Sequence, residues 1–147
     1  LVETAPVSVV WVPGNHDATT SYHLARTVAA WFRNCDRVTV DVSPSPRKYL
    51  HWHTTLLGFT HGDQEKPQSL PALMATERPK EWAGSTCREW LLGHMHRSRQ
   101  WVTQPVDTHE GTTVRALRSL AGSDAWHHKK GFVSGERGRA AIARAAS

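Results

Sequence analysis

The segment Val7 to Val12 (VSVVWV) is a continuous apolar run closed by Pro13-Gly14, which predicts a buried strand. From Ser21 to Asn34, Leu24, Val28, Trp31 and Phe32 recur at helical spacing, and Thr19, Thr20 or Ser21 is placed to cap the helix. Arg37 to Val42 alternates as a half-buried strand does, and Ser43-Pro44-Ser45-Pro46 reads as a turn. Lys48 to His53 and Thr55 to Thr60 predict a hairpin. Glu65 to Gly84 is rich in proline, with a short helix expected near Leu70 to Thr76. Glu89 to Leu92 predicts a short apolar strand. Arg99 to Thr103 and Thr112 to Leu117 predict two more, with a polar loop between them. Gly135 to Ser147 is alanine-rich and reads as a terminal helix or a frayed tail. A strand, a helix and then many strands point to α/β or α+β architecture with a mixed sheet, in one domain over residues 1–147.

Composition narrows the class. The 147 residues are 39% hydrophobic and 21% charged, a globular balance that excludes a disordered or collagen-like chain. No apolar run approaches the length of a membrane span, and no charged start followed by an apolar stretch marks a signal peptide. Two cysteines, Cys35 and Cys87, make neither a disulfide framework nor a CxxC pair and read as reduced thiols. These features lead us to expect a cytoplasmic protein without a membrane partner. The net charge of +5 is spread over Arg47-Lys48, Arg97, Arg99, Lys129-Lys130, Arg137, Arg139 and Arg144, with no run that reads as a nucleic-acid arm. Arg47 and Lys48 are read either as phosphate contacts or as solvated charges. Trp11, Trp31 and Trp90 lie on apolar elements and read as core.

The ten histidines change the picture more than the charge does. Three short motifs each follow an apolar strand: Gly14-Asn15-His16-Asp17, His61-Gly62-Asp63 and Gly93-His94-Met95-His96. Ligands of open α/β sheets collect at the carboxyl ends of strands, so three such loops at one sheet edge are expected to converge on one site. Glycine in each motif allows sharp turns or close approach to an ion. Imidazole nitrogens with an amide oxygen suit manganese, iron or zinc. Asp17 beside His16 is the kind of carboxylate that orients an imidazole. His51 and His53, two apart on a strand, read as strand histidines beside Trp52 rather than a metal pair. His23 is expected on the solvated side of its helix.

In their order and strand context, these motifs resemble the calcineurin-like metallophosphoesterase superfamily, in its nuclease and phosphodiesterase branch. The family's ordered motifs are DxH, GDxxD, GNH[DE], a glycine-flanked histidine and GHxH, and the last three correspond to Val7 through Arg97 here. Arg118-Ser119-Leu120 and Trp126-His127 resemble phage-encoded members. The resemblance implies a sandwich of two mixed sheets flanked by helices and a centre of two divalent ions, manganese first, with iron or zinc as alternatives. It implies that Asn15, His61 and His94 bind the second ion and His96 the first. His16 is then a catalytic residue that faces the substrate phosphate and stabilises or protonates the leaving oxygen, and Asp17 holds the His16 tautomer. The implied reaction is in-line attack of a metal-bound hydroxide on a phosphodiester of DNA, RNA or a small nucleotide.

The departure from the family is plain: no DxH or GDxxD precedes Pro13, so the carboxylates of the first and bridging positions are absent from this sequence. The corresponding expectation is a C-terminal part of a longer metallophosphoesterase domain, incomplete in catalysis. Such a part exposes apolar faces and a sheet edge, which favours self-association. The alternative reading is a catalytically inactive scaffold of the same fold used for protein interaction. A third is a phosphoprotein phosphatase, whose additional arginines are not placed in this sequence.

Overall fold

The structure, a computed structural model, describes residues 2–93 and 106–117. Strand β1 (Val7–Val10) leads into helix α1 (Ala18–Trp31), which returns the chain to β2 (Val38–Asp41). β1 and β2 pair in parallel, Val7 opposite Val38 and Val10 opposite Asp41, as a β-α-β crossover requires. Five further strands follow: β3 (Arg47–Trp52), β4 (Thr55–Thr60), β5 (Cys87–Leu92), β6 (Val106–His109) and β7 (Thr112–Ala116). They form a second sheet in the order β3-β4-β5-β7-β6. Its centre is parallel and both edges are antiparallel hairpins. Between β4 and β5 the chain crosses through a 3-10 turn (Pro67–Ser69), α2 (Leu70–Glu77) and α3 (Pro79–Gly84). The class is therefore α/β, with helices flanking a mixed sheet.

The core lies where α2 and α3 cover one face of the larger sheet. Leu56, Leu70, Met74, Trp90, Leu92 and Val114 form one cluster, each at most 2% exposed. Side chains alternate along a strand, so Trp90 and Leu92 share the covered face of β5. Gly58, the partner of Trp90 on β4, has no side chain because a Cβ there would collide with the indole. The Trp90 indole N–H donates to the Leu70 carbonyl at 3.0 Å, and its ring meets Tyr49 edge-on at 5.4 Å. On the opposite face of β5, the fully buried Glu89 accepts from Arg115 of β7 at 2.6 Å. The carboxylate enters the sheet only with a guanidinium beside it, as the cost of burying an unpaired charge dictates.

Several expectations need correcting. Helix α1 begins at Ala18 with Asp17 as N-cap, ahead of the expected Thr19–Ser21 caps, and Asp17 makes no side-chain capping bond. Leu24 and Trp31 of the expected buried stripe are 63% and 82% exposed, and Ala25 is the buried residue of α1. Helical period locates a stripe but not the element that covers it. Val106–His109 is a strand where a polar loop was expected. It pairs with β7 across Glu110 and Gly111, both at positive φ (46° and 74°), which is what a tight two-residue hairpin turn requires. The strand expected at Arg99 to Thr103 and the tail from Gly135 lie outside the described residues, as do Arg118–Leu120 and Trp126-His127. Both cysteines are free and half-buried.

Arg47 and Lys48 are both held in ion pairs rather than free, Arg47 partly exposed and Lys48 buried. Lys48 is 4% exposed. Its ammonium donates to Asp41 at 2.9 Å and to the Ser43 carbonyl and hydroxyl at 2.7 Å each, and it stands 5.5 Å from the Trp11 ring centroid. It thereby ties β3 of the larger sheet to the end of β2 and the end of β1. Burial pushes the Asp41 carboxyl up, but the bonds from Lys48 and Ser43 outweigh it and hold the group below the ordinary carboxylate range. Arg47 bridges Glu65 and Glu77, at 2.9 and 2.6 Å.

Candidate functional site

The end of β1 and the end of β4 belong to different sheets, yet their loops meet. His61 Nε2 lies 3.0 Å from Asn15 Oδ1. β4 and β5 run in parallel with Thr60 opposite Leu92, so His61 and Gly93 leave the sheet side by side. A Cβ on Gly93 would lie 3.3 Å from His61 Nδ1, and one on Gly14 would lie 3.4 Å from His61 Cε1. The His61 ring therefore sits between two glycines, one from each flanking loop. All three motifs contribute to this corner, through Asn15, His61 and Gly93. The loops gather from two sheets rather than along one sheet edge.

The glycines do different work. Gly62 has φ +89°, a left-handed conformation that turns the chain sharply after His61, and a Cβ there would press on Leu92 Cδ2 at 2.9 Å. Gly14 and Gly93 have no positive φ; what they supply is space. A Cβ on buried Gly14 would collide with the Asp17 carboxylate, which folds back over it. Asp17 also accepts the Ser21 N–H on its backbone carbonyl at 2.8 Å, the first turn of α1. His16 lies on the exposed surface one residue before this cap.

Of the residues assigned as metal ligands, the structure brings Asn15 and His61 together. His94 and His96 lie outside the described residues. Among the described residues no group of three or more His, Cys, Asp or Glu side chains stands together in a way that would hold an ion. The pair present nonetheless fits part of a divalent-metal site: an amide oxygen and an imidazole nitrogen are suitable donors. Two donors each about 2.1 Å from one ion and at right angles lie about 3.0 Å apart, which is the separation observed. Asp63, next in the same loop, is half-buried and accepts from Gln64 at 2.7 Å. His51 and His53 do not share a strand face; His51 ends its side of β3, while His53 sits in the hairpin turn at φ 50°, its ring against Trp52. His23 is exposed, as expected of the solvated side of α1.

Beside the Asn15 loop runs an open groove of about 310 Å³, walled by Trp11, Pro13, Ala18, Thr19, Tyr22 and Pro44. Trp11 is thus a half-buried wall rather than core, with Tyr22 at 5.9 Å between ring centroids.

The loop carrying His61 has a support that the sequence motifs do not reveal. Glu65, its side chain 6% exposed, accepts from the Thr60 hydroxyl at 3.1 Å on one oxygen and from Arg47 at 2.9 Å on the other. Arg47 continues to Glu77 at the end of α2, where Tyr49 also donates at 2.7 Å. The Arg47 bond, ahead of the opposing effect of burial, holds the Glu77 carboxyl below its usual range. The two carboxylates push the Arg47 guanidinium up, and burial followed by the Glu77 bond does the same to the Tyr49 phenol. Partly exposed ion pairs of this kind contribute about 0–1 kcal/mol each, so their main consequence is geometric. The one sequence signal for this support was a charged pair, Arg47-Lys48, beginning a strand.

No family model, curated protein or solved structure matches the chain. Among the described residues no helix is long and apolar enough to cross a membrane.

Proposed function

We propose that the chain forms part of a metal-dependent phosphoesterase that hydrolyses a phosphodiester of a nucleic acid or nucleotide. The observation that carries this reading is the 3.0 Å approach of Asn15 Oδ1 and His61 Nε2, two donors from loops of separate sheets. Asn15 and His61 would hold one ion together with His94, and His96 would reach the other. Bound divalent ions supply a nucleophilic oxygen near neutral pH and neutralise phosphoryl charge. The chain's own residues do the rest. His16, exposed at the mouth of the same loop, reaches the leaving oxygen and gives it a proton. Asp17 orients that imidazole, and the groove walled by Trp11 and Tyr22 receives an apolar part of the substrate. The carboxylates of the DxH and GDxxD motifs are not in this sequence, so in this reading a longer protein, another position such as Asp63, or a partner chain supplies them.

The test is hydrolysis of a model phosphodiester with manganese present, alongside metal content per chain. His16→Ala is expected to cut turnover of the complete enzyme and leave metal content intact, whereas His61→Ala and His94→Ala lose metal. Metal loss in the His16 variant contradicts its role as a proton donor. The rival reading, an inactive scaffold, draws on the exposed Leu24 and Trp31 of α1. It predicts no metal uptake and no turnover with any added carboxylate-bearing partner.

A further inference from the structure

We infer that Glu65, clamped between Thr60 and Arg47, is a positioning residue that sets the His61 ring against Asn15; this rests on the reading of His61 as a metal donor. Thr60 and Glu65 bracket His61 in sequence, and the Thr60 hydroxyl closes the bracket on one Glu65 oxygen. The other oxygen takes Arg47, which belongs to the neighbouring strand β3 and is anchored in turn on Glu77 of α2. The turn at Gly62 and the close approach of Gly93 define where the ring can go. The Glu65 clamp fixes the loop that delivers it there. Without the clamp, residues 61–65 have one fewer tie to the sheet, and the bond to Asn15 has to compete with solvent. Glu77 accepts from Arg47 and from the Tyr49 hydroxyl, so it acts on the clamp through Arg47.

The side-chain geometry supplies a readout independent of any metal. With the Asn15 amide oxygen as acceptor, His61 carries its proton on Nε2. Ring nitrogen shifts of His61, read by long-range proton–nitrogen NMR on the full chain without metal, are expected to report that single tautomer. Glu65→Ala and Thr60→Val are expected to move them toward the mixed tautomers of a free histidine. Both variants should also weaken Mn²⁺ binding by about 10-fold or more, the usual effect of removing a group that orients a ligand. Glu65→Gln, which keeps an acceptor for Thr60, should recover part of the loss. Thr60→Val removes the clamp without removing a charge, so it decides the matter if Glu65→Ala does not fold. Wild-type His61 shifts in the Thr60 variant overturn the inference. If the native chain binds no Mn²⁺, the functional reading falls while the ring shifts still decide the clamp.

Discussion

The larger sheet and the β1-α1-β2 unit are built to different standards. In the first, six apolar side chains including Trp90 are almost wholly removed from water where α2 and α3 pack on the sheet. In the second, a two-stranded parallel sheet carries a helix with one buried residue, while Leu24 and Trp31 face outward. The candidate centre takes one donor from each: His61 from the well-packed sheet and Asn15 from the sparsely packed unit. Donor geometry therefore depends on how firmly the two regions are joined, and away from the Asn15–His61 contact Lys48 contributes to that joint. A site at such a junction is sensitive to changes that leave either region folded.

The sharpest way to break this contrast is to truncate one tryptophan in each region. Trp90→Ala should cost about 3–5 kcal/mol, as expected for removing a buried indole and leaving a cavity. Trp31→Ala should stay within about 0.5 kcal/mol, as for a surface substitution. Denaturant unfolding followed by circular dichroism compares them, and equal losses would mean that Trp31 is covered in solution. Next in size is the joint itself. Lys48→Met keeps the stem but gives up the bonds to Asp41 and Ser43, and should cost about 1–3 kcal/mol. It should also weaken Mn²⁺ uptake, which Trp31→Ala should not do.

The fold was legible where local pattern and tertiary context agree. The hairpin around Thr55–Thr60, the helix beginning at Leu70 and the strand ending at Leu92 follow directly from apolar runs bounded by turn residues. The approach of Asn15 to His61 was legible in part: strand-end motifs were expected to gather at one sheet edge, whereas these two come from separate sheets. What was not legible depends on partners far away in sequence. Arg47 pairs with residues 18 and 30 positions on, so nothing local distinguishes it from a solvated charge. The same reason hid Glu65, which no motif marks. Trp31 failed differently: it has the right period, but among the described residues it is 82% exposed, and period alone does not say whether a face is covered. Val106–His109 was read as a loop because an edge strand with polar alternation lacks the apolar signal of a central one.

Smaller effects sharpen the loop geometry. Gly62→Ala must place a Cβ at φ +89° against Leu92 and should cost about 1–2 kcal/mol, with Gly93→Ala costing less because its φ is ordinary. Thermal unfolding ranks the two, and the reverse order would contradict the turn assigned to Gly62. The smallest effect is a pH dependence. The folded-state depression of Glu77 means its contribution is fully present above the unfolded value near 4.5 and is lost as pH falls below it. Asp41 behaves in the same sense from its own ordinary value of 3.8 downward. Stability measured from pH 6 to pH 3 should therefore decline below about 4.5, and Glu77→Gln should flatten part of that decline.

The most direct test of the central claim is a double-mutant cycle in Mn²⁺ affinity, with Asn15→Ala, His61→Ala and the pair, measured by titration on the full chain. If one ion is held by both donors, each single variant weakens binding by about 10-fold or more, and the pair loses a different amount from the sum. Unchanged affinity in both single variants would contradict the account, because the 3.0 Å contact would then be a hydrogen bond between two loops and nothing more.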